Sequence, residues 1–421
     1  MNILMSVLDF IRNIGPQAIM PIFMIIIGLI VRVPFGKLIR AALTVAIGFI
    51  GMNLMIGLLA GSLAGPAQSM ADNFGLTLET LDVGWAAIAG FSWASILVPV
   101  VFLMTLGINF GMIALGWTRT INVDVWNYHV YMFAAQIVLL QTQNVVLALL
   151  AAAITIVTSL LIADWAYPLT EHIFPGISFP HAFTVYWIPL GMLMNKLYDR
   201  IPGFRDIKAD PDSIREKLGF MGEPAILGFI LGILIGILSK VDFTEIVTLG
   251  LSMAAVMILL PRMVSLLMEG ISTIASGVSE FAQSSKLLKG KPILIGADGG
   301  LLMSRPSVLA MAVLMIPITL IISFILPGNR VLPLGELAVL GGVWQWSVIT
   351  AKENVIRGLM TAIVCCIGTL LVATSLAPIV TEMAVSTGYV LPEGVSSIIG
   401  LANGNFLVPW AFWKITALLG F

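Results

Sequence analysis

The sequence predicts an all-α polytopic membrane protein of about 11 transmembrane spans plus re-entrant segments, since a span needs roughly 20 predominantly apolar residues. Composition is the first reason: of 421 residues, 59% are hydrophobic and 10% are charged. Mean hydropathy is +1.05. Apolar runs long enough to cross a bilayer follow one another along the chain and leave no room for a soluble domain with its own core. The longest polar stretch, Lys196 to Glu223, has the length of a connecting loop. Residues 1–421 therefore read as a single membrane domain, with 1–195 as a first repeat half, 196–224 as a cytoplasmic loop and 225–421 as a second repeat half.

Taken in order, the N-terminal stretch carries Asp9 and Arg12. It lacks a basic leader region and a small-residue cleavage site, and reads as a retained amphipathic segment. Met20 to Val33 and Leu43 to Leu63 are the first spans, and Arg32, Lys37 and Arg40 place their connection in the cytoplasm by the positive-inside rule. Ala64 to Gly84 holds Asp72, Glu79 and Asp82 without lysine or arginine, as expected of the outer face. Gly90 to Ser95, which includes Trp93, is a small and polar interruption before a span over Ile96 to Leu115. Ile121 to Tyr131 then sets Asn122, Asp124, Asn127 and His129 among tryptophan and tyrosine rings. A saccharide site wants that mixture, because planar polar groups pair with hydroxyls while rings cover C–H faces. An interfacial aromatic belt would have the same composition.

Ala134 to Leu140 and Val145 to Ile162 add apolar length. His181 follows Pro180 directly, and Phe179 to Leu193 reads as a re-entrant or interfacial element. Without it, alternating spans would put Lys196, Arg200, Arg205, Lys208, Arg215 and Lys217 on the outer face; a miscounted span upstream would restore the parity equally well.

In the second half, spans over Ala225 to Leu238 and Ile246 to Leu260 precede Pro261-Arg262, which is expected to end the second of them. Met263 to Leu288 is amphipathic, and lies either along the inner surface or packed between spans. The stretch KPILIGADGGLLMSRP, Lys291 to Pro306, organises the chain. A lone carboxylate at bilayer depth costs at least ~2.5–3.5 kcal/mol, so Asp298 must face protein or a watered cavity. Gly296, Gly299 and Gly300 argue for a helix broken at that point, which frees backbone N–H and C=O groups beside the carboxylate. Alternatively Asp298 merely caps the helix that follows. Beyond it come a span over Leu309 to Leu326, the turn Pro327 to Arg330, and Glu336 at the head of another apolar run. Ser396 to Phe421 forms a last span anchored by Trp410, Trp413 and Lys414. The order Pro34, Gly90 to Ser95, Asp124 is echoed by Pro261, Ala297 to Gly300, Glu336. That echo suggests two repeats, inverted if each half crosses an odd number of times.

Cys365 and Cys366 stand adjacent in an apolar run, where a thiol acts as a small hydrophobe. A disulfide, a zinc site and a catalytic thiol are not expected there. Walker A, zinc-ligand, nucleophile-elbow and DNA-binding patterns are absent. No cofactor, metal, catalytic residue or nucleic-acid partner is expected.

Asn122-Val123-Asp124-Val125-Trp126-Asn127, Pro180-His181, Gly222-Glu223-Pro224, Leu260-Pro261-Arg262, Leu294 to Asp298, and Pro327-Gly328-Asn329 through Leu337 together resemble the galactitol-type membrane component, enzyme IIC, of the bacterial phosphotransferase system. The resemblance covers nearly the whole chain, in order. It implies a homodimeric channel of the ascorbate and galactitol superfamily in the bacterial inner membrane, with scaffold and core parts in each protomer. Such a channel moves galactitol or a related polyol inward while a separate IIB subunit, charged through IIA, phosphorylates it. No residue of this chain would itself carry phosphate. The pattern departs from the family at Ser304-Arg305, where relatives have a histidine after the aspartate motif, and in lacking a basic C-terminal tail. The expected substrate-binding residues are Asp298, Asp124, Asn127, His129, Glu336, Trp93 and His181. The competing expectation is a proton- or ion-coupled secondary transporter in which Asp124, Asp298 and Glu336 relay protons.

Overall fold

Short strands punctuate an otherwise helical chain. The computed structural model describes residues 16–74, 80–122, 124–204, 223–284, 293–333, 335–336, 340–391 and 395–420. The N-terminal segment with Asp9 and Arg12, and Arg205, Lys208, Arg215 and Lys217 of the basic loop, lie outside the described residues.

Helices α1 (Pro16–Ile30) and α2 (Phe35–Phe74) lead into β1 (Thr80–Asp82), α3 (Trp85–Trp93) and α4 (Val98–Leu115). They are followed by β2 (Thr120–Asn122), α5 (His129–Thr142), α6 (Val145–Thr170), β3 (Ile177–Ser178) and α7 (Ile188–Tyr198). The second half opens with α8 (Pro224–Ser239), α9 (Phe243–Ser284), β4 (Leu294–Gly296) and α10 (Pro306–Ile325). It closes with β5 (Val331–Leu332), α11 (Leu340–Val343), α12 (Gln345–Thr350), α13 (Val355–Ser386), β6 (Ser397–Ile399) and α14 (Leu407–Leu418).

Local chemistry sets several of these boundaries. Asn144 caps α6, its side chain accepting from the N–H groups of Val146 and Leu147. Asn354 does the same for α13 through Arg357. Gly116 ends α4 in a left-handed conformation (φ 74°), which glycine adopts without a Cβ penalty. Helices α8 and α9 approach closely because Gly228 and Gly232 lack side chains: a Cβ at either would stand 2.7 or 2.5 Å from a backbone carbonyl of α9.

Among the described residues, four helices are long and apolar enough to cross a bilayer by length and composition: α4, α6, α10 and α13. This corrects the expectation of about 11 spans, which rested on apolar length alone. The reason is visible in α5, where every residue from His129 to Val138 is buried within the protein. A helix apolar all round is a core helix as readily as a membrane span, and 14 residues rise only ~21 Å. Likewise α14 has only 12 residues. Pro261-Arg262 does not end a span either, since α9 continues through it for 42 residues in all. Phe179 to Leu193 is divided between a 3₁₀ turn at Val185–Trp187 and the start of α7.

Among the described residues, the six short strands form two three-stranded parallel sheets. In one, β1 is central, pairing Thr80 with Val331 of β5 and with Ser397 of β6. In the other, β4 is central, pairing Leu294 with Thr120 of β2 and Ile295 with Ile177 of β3. Each sheet therefore takes its central strand from one half of the chain and both edges from the other. The expectation of two inverted repeats is corrected accordingly, because the described elements do not separate into two self-contained units.

Candidate functional site

Parallel strands bring like ends together, and here the carboxyl ends converge on acidic residues. Asp298 lies two residues beyond β4, Asp124 two beyond β2, and His181 three beyond β3. Asp298 caps the 3₁₀ turn Gly299–Ser304 by accepting from the Gly300 N–H, so the local cap expected as an alternative does form. Its second oxygen does something a cap does not require: Oδ2 accepts from Asn127 Nδ2 at 2.9 Å. The same amide nitrogen donates to Asp124 Oδ2. Asn127 thus holds two carboxylates from opposite halves of the chain against their mutual repulsion.

The support beneath this bridge is built from buried polar groups. Asn122 Oδ1 accepts from the Asp124 N–H at 3.1 Å, while Asn122 Nδ2 donates to Tyr131 Oη at 3.1 Å. Tyr128 Oη donates to the Asn122 carbonyl at 2.8 Å, and Tyr131 Oη lies 2.9 Å from Ser159 Oγ. Asp124 is 2% exposed, and its Oδ1 makes no hydrogen bond among the described residues.

On the other side of Asp298 stand His181 and Gln345. A Cβ on Gly299 would lie 2.2 Å from His181 Nδ1 and 2.4 Å from Gln345 Nε2, so both side chains rest on bare glycine backbone. His181 Nδ1 lies 3.4 Å from Thr184 Oγ1, which also accepts from Trp346 Nε1 at 3.2 Å. Gln345 is fully buried, and its Oε1 is unpartnered among the described residues. His181 stacks on Phe183 at 5.3 Å, and Phe183 in turn meets Trp85 edge-on at 5.6 Å. His129 belongs to this aromatic layer, 6.0 Å from Trp85, 6.3 Å from Phe183 and 6.1 Å from Phe406. Trp93, the last residue of α3, is buried in the apolar core.

Glu336 belongs to a second cluster. Its Oε2 accepts from the Ala402 N–H at 2.8 Å. Beside it Asp82, the last residue of β1, accepts at Oδ1 from the N–H groups of Gly84 at 3.0 Å and Leu401 at 3.2 Å. Sequence reasoning placed Asp82 in an outer loop and passed over Gln345, Thr184 and Asn403. One signal was available for Asp82: Asp82-Val83-Gly84 and Asp298-Gly299-Gly300 share an Asp-x-Gly pattern, and in both the aspartate accepts from the N–H of the second residue on.

Among the described residues no group of three or more His, Cys, Asp or Glu could hold a metal ion. What the first cluster offers is hydrogen bonding: two carboxylates, two side-chain amides, an imidazole and a flanking ring. Such groups can pair with both the donors and the acceptors of a neutral polar solute. The family described as PTS system sugar-specific permease component matches residues 9–394. The chain belongs to that family, in its galactitol-type branch, and is a sugar-translocating, multi-pass membrane subunit of the bacterial inner membrane. It is 34% identical over 417 residues to a permease IIC component of Escherichia coli (strain K12), covering 98% of this chain and 93% of that one. It is 32% identical over 412 residues to the PTS system galactitol-specific EIIC component of the same strain and to that of Escherichia coli O157:H7, covering 97% of this chain and 90% of each relative.

Proposed function

We propose that this subunit moves galactitol or a related hexitol inward, bound at the Asp124–Asn127–Asp298 cluster with His181 and Gln345, and presents it to a separate IIB subunit that phosphorylates it. One observation carries the reading: Asn127 bridges two carboxylates at the ends of strands from opposite halves, beside a buried amide oxygen with no partner of its own. Such an array satisfies itself when vicinal hydroxyls donate to the carboxylates and to Gln345 Oε1. The names of two relatives support galactitol as the first solute to test.

Phosphorylation then proceeds by positioning. Both cysteines are fully buried in α13, and a thiol so placed cannot receive a phosphoryl group from a soluble protein. A sugar hydroxyl is instead presented directly to the phosphorylated IIB partner, while the remaining hydroxyls are held in place. IIA recharges IIB, and the subunit works as a homodimer with the basic 196–224 loop on the IIB side. Membrane vesicles containing this chain, supplied with phosphoenolpyruvate and the soluble carriers, should accumulate labelled galactitol phosphate. Accumulation of unmodified polyol without IIB, driven by a proton or sodium gradient, would overturn the reading in favour of secondary transport.

A further inference from the structure

We propose that Asp82, Glu336 and Asn403 form a second hydroxyl-binding site for a polyol, across the aromatic layer from the first. The inference rests on the functional reading above in taking a polyol as the solute. The second cluster repeats the composition of the first, with two carboxylates and one asparagine at the carboxyl ends of three parallel strands. Again one carboxylate comes from each half. Asp82 is 5% exposed, and Glu336 and Asn403 are fully buried. Neither acid has an ion-pair partner among the described residues.

Asn403 identifies the class of ligand. Neither its Oδ1 nor its Nδ2 has a hydrogen-bond partner among the described residues. This is not a property of the turn it sits in, because Asn405, two residues on, is fully engaged. Asn405 Oδ1 accepts from Trp187 Nε1 and from Thr369 Oγ1, both at 2.7 Å, and its Nδ2 donates to the Val343 carbonyl at 2.9 Å. Asn403 Oδ1 instead lies toward Glu336: a Cβ on Gly400 would stand 2.5 Å from Asn403 Oδ1, 2.7 Å from Glu336 Oε1 and 2.8 Å from the Trp85 nitrogen. Only glycine at 400 lets these groups come so close together.

A bound cation would use the oxygens alone and leave the Asn403 N–H groups buried and unbonded. A hydroxyl both donates and accepts. It can give its proton to Glu336 or Asp82 while accepting from Asn403 Nδ2, so one diol answers the donor and the acceptors together. Trp85 and Phe406 offer ring surface for the C–H face of the same ligand, and through Phe183 the layer they belong to reaches His181 of the first site.

The test is equilibrium dialysis of labelled galactitol, sorbitol and mannitol against the full-length protein in nanodiscs, with monodispersity checked for every variant. The wild type should take two polyols per chain at saturation, Asp298→Asn one, and the Asp298→Asn, Glu336→Gln double variant well under one at the same ligand concentration. Asn127→Ala provides a second way of removing the first site, and Asn403→Leu a second way of removing the other. Glu336→Gln should weaken the remaining site by about tenfold, because the amide offers one acceptor oxygen where the carboxyl group offers two. One polyol per wild-type chain, with Asp298→Asn abolishing all binding, overturns this inference and leaves the functional reading standing. That outcome would mean that buried water alone fills the second cluster. Residual uptake equal in the single and double variants overturns it as well. Failure of the wild type to bind any of the three polyols overturns both.

Discussion

Asn127 and Asp298 stand 171 positions apart in sequence, yet their side chains meet at 2.9 Å. The contact joins the end of one central strand to a turn that follows an edge strand, and it lets two carboxylates share a confined site. The first prediction concerns this bridge. Asn127→Ala leaves Asp124 and Asp298 facing each other without the amide between them, a loss worth about 1–3 kcal/mol for a buried acceptor. Phosphorylation assays should show a rise in KM and a fall in turnover together, with a combined loss of about tenfold or more. An unchanged kcat/KM would remove Asn127 from the site.

Gly299→Ala tests the other wall. A methyl group there would stand 2.2 Å from His181 Nδ1 and 2.4 Å from Gln345 Nε2, so both must move. Polyol affinity should fall by about tenfold while the protein remains inserted, in keeping with a loss of one or two oriented hydrogen bonds. Dialysis against labelled galactitol reads the result, and retained affinity would show that neither side chain touches the sugar.

The cysteines should matter for packing alone. The Cys365→Ala, Cys366→Ala double variant loses two buried sulfurs, each worth roughly 0.5–3 kcal/mol. Its melting temperature should drop. Sugar phosphorylation by charged IIB should continue, and labelled phosphate trapped on the wild-type chain would contradict direct transfer.

A pH effect follows from the pair joining Arg305 to Glu353. Arg305 Nε and Nη2 donate to the two carboxylate oxygens of Glu353 at 2.8 and 2.9 Å, and Ser307 adds a bond at 3.0 Å. The arginine hydrogen bonds hold the Glu353 carboxyl below its ordinary value near 4.5. A depressed carboxylate contributes stability above its unfolded value and loses that contribution as pH falls through its folded value. The pair is partly exposed, 35% and 24% at the side chains, so the contribution is at most ~1 kcal/mol. Thermal melts of wild type and Arg305→Gln should differ near neutral pH and converge in acid, once pH has fallen below the depressed Glu353 carboxyl. A constant gap across that range would show that the arginine stabilises by packing alone.

The first cluster was largely legible from sequence, because lipid excludes a carboxylate wherever it occurs. Asp298, Asp124 and Asn127 stand out as polar breaks in apolar sequence, and His181 as a polar residue directly after Pro180. Their joining was less legible, since it depends on strands of two or three residues, too short to show any periodicity. Asp82 was passed over for the same reason: with Asp72 and Glu79 before it and no lysine near, it has the composition of an outer loop. Glu336 was recognised as confined, yet its pairing with Asp82 needs the strand order. The span count failed on different grounds. The residues of α5 are as apolar as those of a lipid-facing helix, and only the structure separates burial in protein from burial in a bilayer.

The crossed strands also set a timetable for biogenesis. At about 5–20 residues per second, β1 leaves the ribosome tens of seconds before β5, roughly 250 residues later, can lie beside it. β2 and β3 wait in the same way for β4 to enter between them. The bridge of the first cluster cannot form until β4 and Asp298 have emerged, and the second cluster cannot close until β6 has. A subunit cut short before β4 therefore carries neither cluster in assembled form.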